Sequence, residues 1–235
     1  MGIPFLFDYN SNNCKDCNEK MADAKVLLEK KYKEEFNVWC MGKSFGTLTN
    51  DTYTVICSPK LRPEFKFKAE IDDEGGDLLD EYVSRNICRK IELQIQKAID
   101  RRLEPCVVRV ATGSSWVESD DYRMTIENFL ALTPNVKFAL YLIVLEKNIR
   151  ELEAGDFYLS VTHFFDFLPK ISGGMSIYIV DEDSGGEIKT YLENHAGVDS
   201  DFYQLTKDYK RIYTTFSKSR LTIGREQFIR TVTEL

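Results

Sequence analysis

Six cysteines and two histidines are the side chains of this 235-residue chain best suited to covalent or metal chemistry, and their spacing limits what they can do. Cys14 and Cys17 have the spacing of redox and zinc motifs, but zinc requires a second pair of ligands, and these two sit in a polar stretch. Cys40 and Cys57 fall opposite one another if the chain between them turns at Leu48 and Thr49, and would then form a cross-strand disulfide in an exported protein. Cys88 and Cys106 lie in apolar segments and read as small core residues. Buried free thiols are the leading reading of the set, with disulfide and metal readings beside it. His163 stands among Thr162, Phe164 and Phe165 with Asp166 close by, and His195 closes an expected helix, where its protonated form suits the dipole. Neither histidine belongs to a nucleophile motif, and the chain has no Gly-x-Ser-x-Gly and no metal-binding His pair. No residue is assigned as catalytic, as a metal ligand or as the holder of a cofactor.

Two acidic turns invite a calcium reading. Taking Glu70 as the first loop position puts Asp72 third, Glu74 fifth, Gly75 sixth and Glu81 twelfth, but Glu70 belongs to a strand-like alternation and no helix precedes it. Aligning the second turn on Asp181 puts Leu192 where the bidentate glutamate belongs. Gly42-Lys43-Ser44 fails as a phosphate loop, because Asn37 occupies the place of its first glycine. The carboxylates Asp72, Asp73, Glu74, Asp120, Asp121, Asp181 and Asp183 are therefore read as a recognition surface for a protein partner of basic character.

The elements that must position these residues follow from periodicity. Phe65, Phe67, Ala69 and Ile71 alternate with Lys66, Lys68 and Glu70, a half-buried strand. After Asp72 to Gly76, Leu79, Val83, Ile87, Ile91, Ile95 and Ile99 recur on one helical stripe. Upstream, Asp23 is a candidate cap for a helix reaching Phe36, and Val38 to Cys57 reads as a hairpin. Downstream, the pattern predicts a strand at Cys106 to Val110, a helix at Met124 to Leu132, and a central strand at Val136 to Leu145. A helical stretch then ends at Ser172-Gly173-Gly174, followed by a strand at Ile177 to Asp181, helices at Glu187 to Asn194 and Asp201 to Tyr213, a strand through Leu221 and a closing helix. Strand, acidic turn and Gly-Gly recur at Phe67 to Gly76 and Ile177 to Gly186, an echo read first as the ordinary reuse of acids at helix starts and glycines at tight turns, with duplication as the lesser reading.

The expected fold class is α+β, antiparallel sheet covered by helices, with two similar α-β-β-β-α-type subdomains as the fuller form. Its divisions are a flexible leader over 1–20, an N-terminal subdomain over 21–112, a linker over 113–121 and a C-terminal subdomain over 122–235.

Bulk composition narrows the function. A net charge of −7 argues against a nucleic-acid partner, since phosphate neutralisation needs a basic field. The segment from Lys207 carries seven bases against three acids and reads as a solvated face. The longest apolar run, Phe138 to Leu145, falls far short of the roughly 20 residues a bilayer requires. With no signal peptide in view, the chain as written is expected in the cytoplasm, or outside it if a leader has been removed.

Lys31-Tyr32-Lys33-Glu34-Glu35-Phe36, Gly42 to Thr47 and Thr49-Asn50-Asp51-Thr52-Tyr53 resemble an uncharacterised group of small Firmicutes proteins, often predicted to be exported or lipid-anchored. The resemblance covers roughly the first 100 residues and implies export but no activity. The leading functional expectation is a non-enzymatic protein-binding module, in one version an immunity or inhibitor protein with an acidic face. The alternatives are an enzyme or small-ligand carrier with a site assembled around His163, and a structural component of the cell surface.

Overall fold

The computed structural model describes residues 15–44, 52–72, 74, 76–99, 101–113, 116–150 and 152–234, with backbone alone at 15 and 42–44. The chain divides into two units, Met1–Val83 with Glu118–Tyr122, and Ser84–Val117 with Arg123–Leu235. The expected linker thus contributes its last residues, from Glu118, to the first unit.

In the first unit, α1 (Lys15–Tyr32) lies against a four-stranded antiparallel meander of β1 (Phe36–Ser44), β2 (Thr52–Pro59), β3 (Phe67–Asp72) and β4 (Leu78–Asp80). Cys17, Ala24, Leu28 and Tyr32 form its buried stripe. The helix takes in residues 15–20 of the expected leader, so Asp23 is an interior residue 3.8 Å from Lys20 rather than a cap. It stops before Phe36 because Lys33 adopts a left-handed φ of 58°, and Phe36 opens β1 instead. β3 keeps the expected alternation, with Phe67, Ala69 and Ile71 buried. The turn after it leads into the short strand β4, so Leu79 is an exposed strand residue and not the first turn of the following helix.

That helix, α2 (Tyr82–Ala98), begins where the Asp80 carboxylate accepts the Tyr82 N–H at 3.0 Å. The unit division runs through it after Val83. Val83, Ile87, Ile91 and Ile95 are buried along it as the periodicity predicts, with Ile99 just beyond.

The second unit continues through a 3₁₀ turn (Arg101–Leu103), β5 (Val107–Thr112), α3 (Ile126–Leu132) and β6 (Phe138–Leu145) to α4 (Glu146–Arg150) and α5 (Ala154–His163). A 3₁₀ turn (Phe164–Phe167), β7 (Gly173–Val180), α6 (Glu182–Asn194), α7 (Ser200–Thr206), β8 (Lys210–Ser217), β9 (Arg220–Leu221) and α8 (Arg225–Thr233) complete it. The five strands pair in chain order, antiparallel except for β6 with β7, whose parallel pairing requires the helical crossover between them. The fold class is α+β, with helices packed on two sheets.

Three local expectations give way. The two sheets differ in strand number and pairing, and the two echoed turns differ as well: the first joins β3 to β4, whereas in the second Asp181 caps a helix that contains both Gly185 and Gly186. β7 starts at Gly173, not after it, because the strand meets β6 so closely that a Cβ there would lie 1.8 Å from the Phe138 carbonyl oxygen. The helix expected from Asp201 to Tyr213 ends at Thr206, and Lys210 to Ser217 alternate exposed and buried as β8.

Candidate functional site

The acidic residues singled out from the sequence have different duties. Asp72 accepts the N–H groups of Gly76 and Asp77 at 2.8 and 3.2 Å and so shapes the β3–β4 turn. Asp181 caps α6 through the Ser184 N–H and hydroxyl, both at 2.8 Å, and those bonds hold its carboxyl below the usual range. Glu74, Asp120, Asp121 and Asp183 are exposed, and Asp73 lies outside the described residues. The first unit carries Asp72, Glu74, Asp120 and Asp121, the second Asp181 and Asp183.

The cysteines pair differently from the hairpin expectation. Cys40 is bonded to Cys17, tying β1 to α1, and Cys57 is a buried thiol opposite Val38. Two shifts separate Cys40 from Cys57: the hairpin closes with Ser44 facing Thr52, and a bulge between Cys40 and Gly42 then places Cys40 opposite Val55. Cys14 lies outside the described residues. Cys106 lines a shallow recess of about 500 Å³ with Gln96, Glu104 and Pro105. Burial pushes its thiol up to about 11, so it stands protonated at neutral pH and is a poor nucleophile.

His163 ends α5 with its side chain exposed, 3.5 Å from Asp166 and edge-on to the Phe167 ring. His195 is the C-cap of α6, stacked on Tyr191 at 3.8 Å, with Nδ1 2.8 Å from the Tyr191 carbonyl oxygen. Among the described residues no group of three or more His, Cys, Asp or Glu side chains is placed to hold a metal ion, and no helix is long and apolar enough to cross a membrane.

Two buried carboxylates that the sequence did not advertise organise their units. In the first, Asp80 accepts Lys31 Nζ at 2.8 Å and the Tyr32 hydroxyl at 2.6 Å in addition to the Tyr82 N–H. Tyr32 and Tyr82 pack with Phe36, Phe65, Phe67 and Tyr122, and the Tyr82 hydroxyl is held between Glu34 and Arg62. Burial, then Asp80, pushes the Tyr32 phenol far above its ordinary range. In the second unit Glu92 of α2 takes Arg85 in a two-pronged grip at 2.9 and 3.2 Å, and Arg89 and Arg109 stand at 3.2 and 4.0 Å. It also accepts the Val110 N–H at 3.0 Å. Burial acts to raise the Glu92 carboxyl, but Arg85, Arg109 and these bonds outweigh it and hold it below the usual range. Both networks are inward-facing and every contact described serves folding.

The surface with spare chemistry is one face of the five-stranded sheet. Its in-register rows are Val107–Ile143–Tyr178–Arg211, Arg109–Tyr141–Ser176–Tyr213 and Ala111–Ala139–Gly174–Thr215. Ile188, Leu192 and Phe202 from α6 and α7 cover the part around Ile143, Leu145 and Tyr178. Towards β8 the cover ends: Arg211, Tyr213 and Thr215 are exposed, as is Tyr203 of α7. The Arg211 guanidinium lies between the rings of Tyr178 and Tyr213, at 5.5 and 5.4 Å, and donates from Nε and Nη2 to Ser176 Oγ at 3.2 and 2.8 Å. The Tyr141 and Tyr203 hydroxyls meet at 3.1 Å. The Tyr213 ring crosses Gly174, where an added Cβ would come within 3.0 Å of its hydroxyl. Reading 201–213 as one helix hid this surface. The signal was present in Arg211-Ile212-Tyr213-Thr214-Thr215-Phe216-Ser217, a β-branched and aromatic run of period two.

No protein-family model matches the chain, and no curated protein matches it. The fold is similar to that of a DUF5037 family protein from Ruminococcus gnavus ATCC 29149, with a TM-score of 0.71 over 92% of this chain and 99% of that one, at 14% identity. That organism belongs to the Firmicutes, and the likeness is one of fold.

Proposed function

We propose that this chain is a non-enzymatic protein-binding module that engages its partner through the uncovered face of the second unit's sheet. The observation that carries this reading is the group Tyr203, Arg211 and Tyr213, exposed together on a face whose other part is covered by helices. Tyrosine and arginine supply large, orientable contact area and are enriched where protein interfaces concentrate their energy. The inhibitor version of this reading draws on Glu74, Asp120, Asp121 and Asp183, whose exposed carboxylates suit a basic partner. Asp72 and Asp181 contribute to it less, since their oxygens are engaged at turns and caps. For the enzyme alternative, His163 has Asp166 and Phe167 at hand on an exposed helix end, which supports contact more than catalysis.

The Cys17–Cys40 disulfide supports an oxidising compartment, because such bonds rarely persist in the cytosol. The experiment is affinity capture from the native host with the wild-type chain and with a Tyr203→Ala, Tyr213→Ala double variant, both checked for folding by circular dichroism. A protein retained by the wild type and lost from the double variant is the expected result. The same set of proteins on both would overturn the reading.

A further inference from the structure

The hydrogen-bond inventory of this face is unbalanced toward donors. Ser176 Oγ accepts two N–H groups from Arg211, so its own proton must go elsewhere, and no acceptor for it lies within reach among the described residues. Arg211 Nη1 and the second N–H of Nη2 have none either. When the Tyr141 and Tyr203 hydroxyls bond to each other, one of them donates and the other retains a proton with no protein acceptor among the described residues. Tyr178 is the telling member, because it is 2% exposed and its buried hydroxyl has no hydrogen-bond partner among the described residues. A buried hydroxyl left so is destabilising, and such groups call for an explanation.

These side chains stand close together on this face of the sheet and beside it. Tyr141, Ser176 and Tyr213 share one row, Tyr178 and Arg211 the next, and Tyr178, Tyr203 and Arg211 all stand near enough to Tyr141 to influence its ionisation. The neighbouring carboxylates are committed: Asp199 accepts the Tyr191 hydroxyl and the first amides of α7, and Glu146 pairs with Arg150 and Lys210. The whole chain carries −7, so nothing in its overall field calls for a group of donors here. What is missing from the cluster is a compact acceptor with several oxygens.

We propose that Arg211, Ser176, Tyr178, Tyr141 and Tyr203 form a receptor for one oxyanion group, a carboxylate or a phosphate. The Nη1–Nη2 edge of Arg211 matches the paired oxygens of such a group, since Nε and Nη2 on the other edge are held by Ser176. The rings of Tyr178 and Tyr213 fix the plane of the guanidinium. Half-buried Ala111 and Ala139 share the row of Gly174, which the Tyr213 ring crosses. The inference deepens the binding reading of the same face by naming the chemistry of what is bound, and it rests on that reading only for the source of the anion.

The test uses the full chain, isotope-labelled, with sodium phosphate and sodium acetate titrated against sodium chloride at matched ionic strength. The Arg211 Nε–H and tyrosine ring signals are followed. Saturable shifts with phosphate, with acetate or with both, and none with chloride, are expected, and the stronger of the two identifies the group. Tyr178→Phe removes a single hydroxyl and should weaken saturation about tenfold, whereas Arg211→Gln should abolish it while the amide spectrum stays folded. Absence of saturation in the wild type overturns the proposal. Equal affinity in the wild type and both variants also overturns it, because the ion is then held elsewhere. The titration needs no partner, so it can fail while partner capture still depends on Tyr203 and Tyr213. If the wild-type chain captures no partner and still binds the anion, the site serves a free small ligand and the protein-binding reading falls. A captured partner that phosphate or acetate displaces supplies the group itself.

Discussion

Glu92 Oε1 accepts the backbone N–H of Val110 at 3.0 Å, so a side chain of α2 closes the outer edge of β5. An edge strand with an open N–H is a template for unwanted pairing, and here a buried carboxylate occupies it. The same carboxylate balances Arg85 and Arg109, which makes one residue responsible for an edge and two cations.

Glu92→Gln should therefore cost about 3–5 kcal/mol in urea unfolding at neutral pH, because two guanidinium groups lose their counter-charge inside the unit. The pH dependence has a definite sign. The folded carboxyl lies below its unfolded value, so its contribution is complete above the ordinary carboxylate range and is lost as pH falls through the folded value. Unfolding curves from pH 7 to pH 3 should be steeper for the wild type than for the variant; parallel curves would contradict the assignment.

Tyr32→Phe should cost about 1 kcal/mol by removing the hydroxyl bonded to Asp80, and Asp80→Ala several times that, since Lys31, Tyr32 and the Tyr82 N–H all lose their acceptor. Tyr32 and Tyr82 hold their protons more tightly folded than unfolded, so stability is intact below about pH 10 and declines above it. Absorbance titration should find both phenols ionising only as the chain unfolds.

Reduction of the Cys17–Cys40 bond should lower stability by about 3 kcal/mol, the scale for a crosslink across a separation of 23 residues. Thiol titration of the unreduced, unfolded chain should count no more than four of the six cysteines; six would place this protein in a reducing compartment.

Gly174→Ala should push Tyr213 off its seat, since the new methyl group would meet the Tyr213 hydroxyl at 3.0 Å. Tyr213 is exposed and can swing away, so thermal stability should move by no more than about 1 kcal/mol. Partner capture should fall together with the Arg211 signal shift in the anion titration.

If the exposed acids meet a basic partner, Glu74→Gln, Asp120→Asn, Asp121→Asn and Asp183→Asn combined should slow association at low salt and leave it unchanged at high salt. Asp181→Ala should behave differently, lowering stability as a lost cap with no effect on the association rate.

Much of the fold was legible locally. The alternation in β3, the stripe from Val83 to Ile95 and the apolar run of β6 each carry their own period, and a period is a property of neighbours in sequence. Boundaries were less legible where one backbone angle or one close approach decides them, as at Lys33 and Gly173. Tyr203 and Tyr213 looked like members of one helix because Ser200 to Thr206 is helical, while the strand pattern that follows is short and half exposed.

By itself the sequence determined the α+β class, the acidic character and most of the core, because burial of apolar faces depends on which residues recur at what period. Only the tertiary structure decided that Cys40 meets Cys17 and not Cys57, that Asp72 and Asp181 serve as turn and cap, and that Arg211 lies between Tyr178 and Tyr213 beside Ser176. Those partners are 23 to 35 positions apart in the chain for the disulfide and the Arg211–Ser176 contact, and the packing of α1 on β1 in the first case and strand register in the second, not local propensity, bring them together.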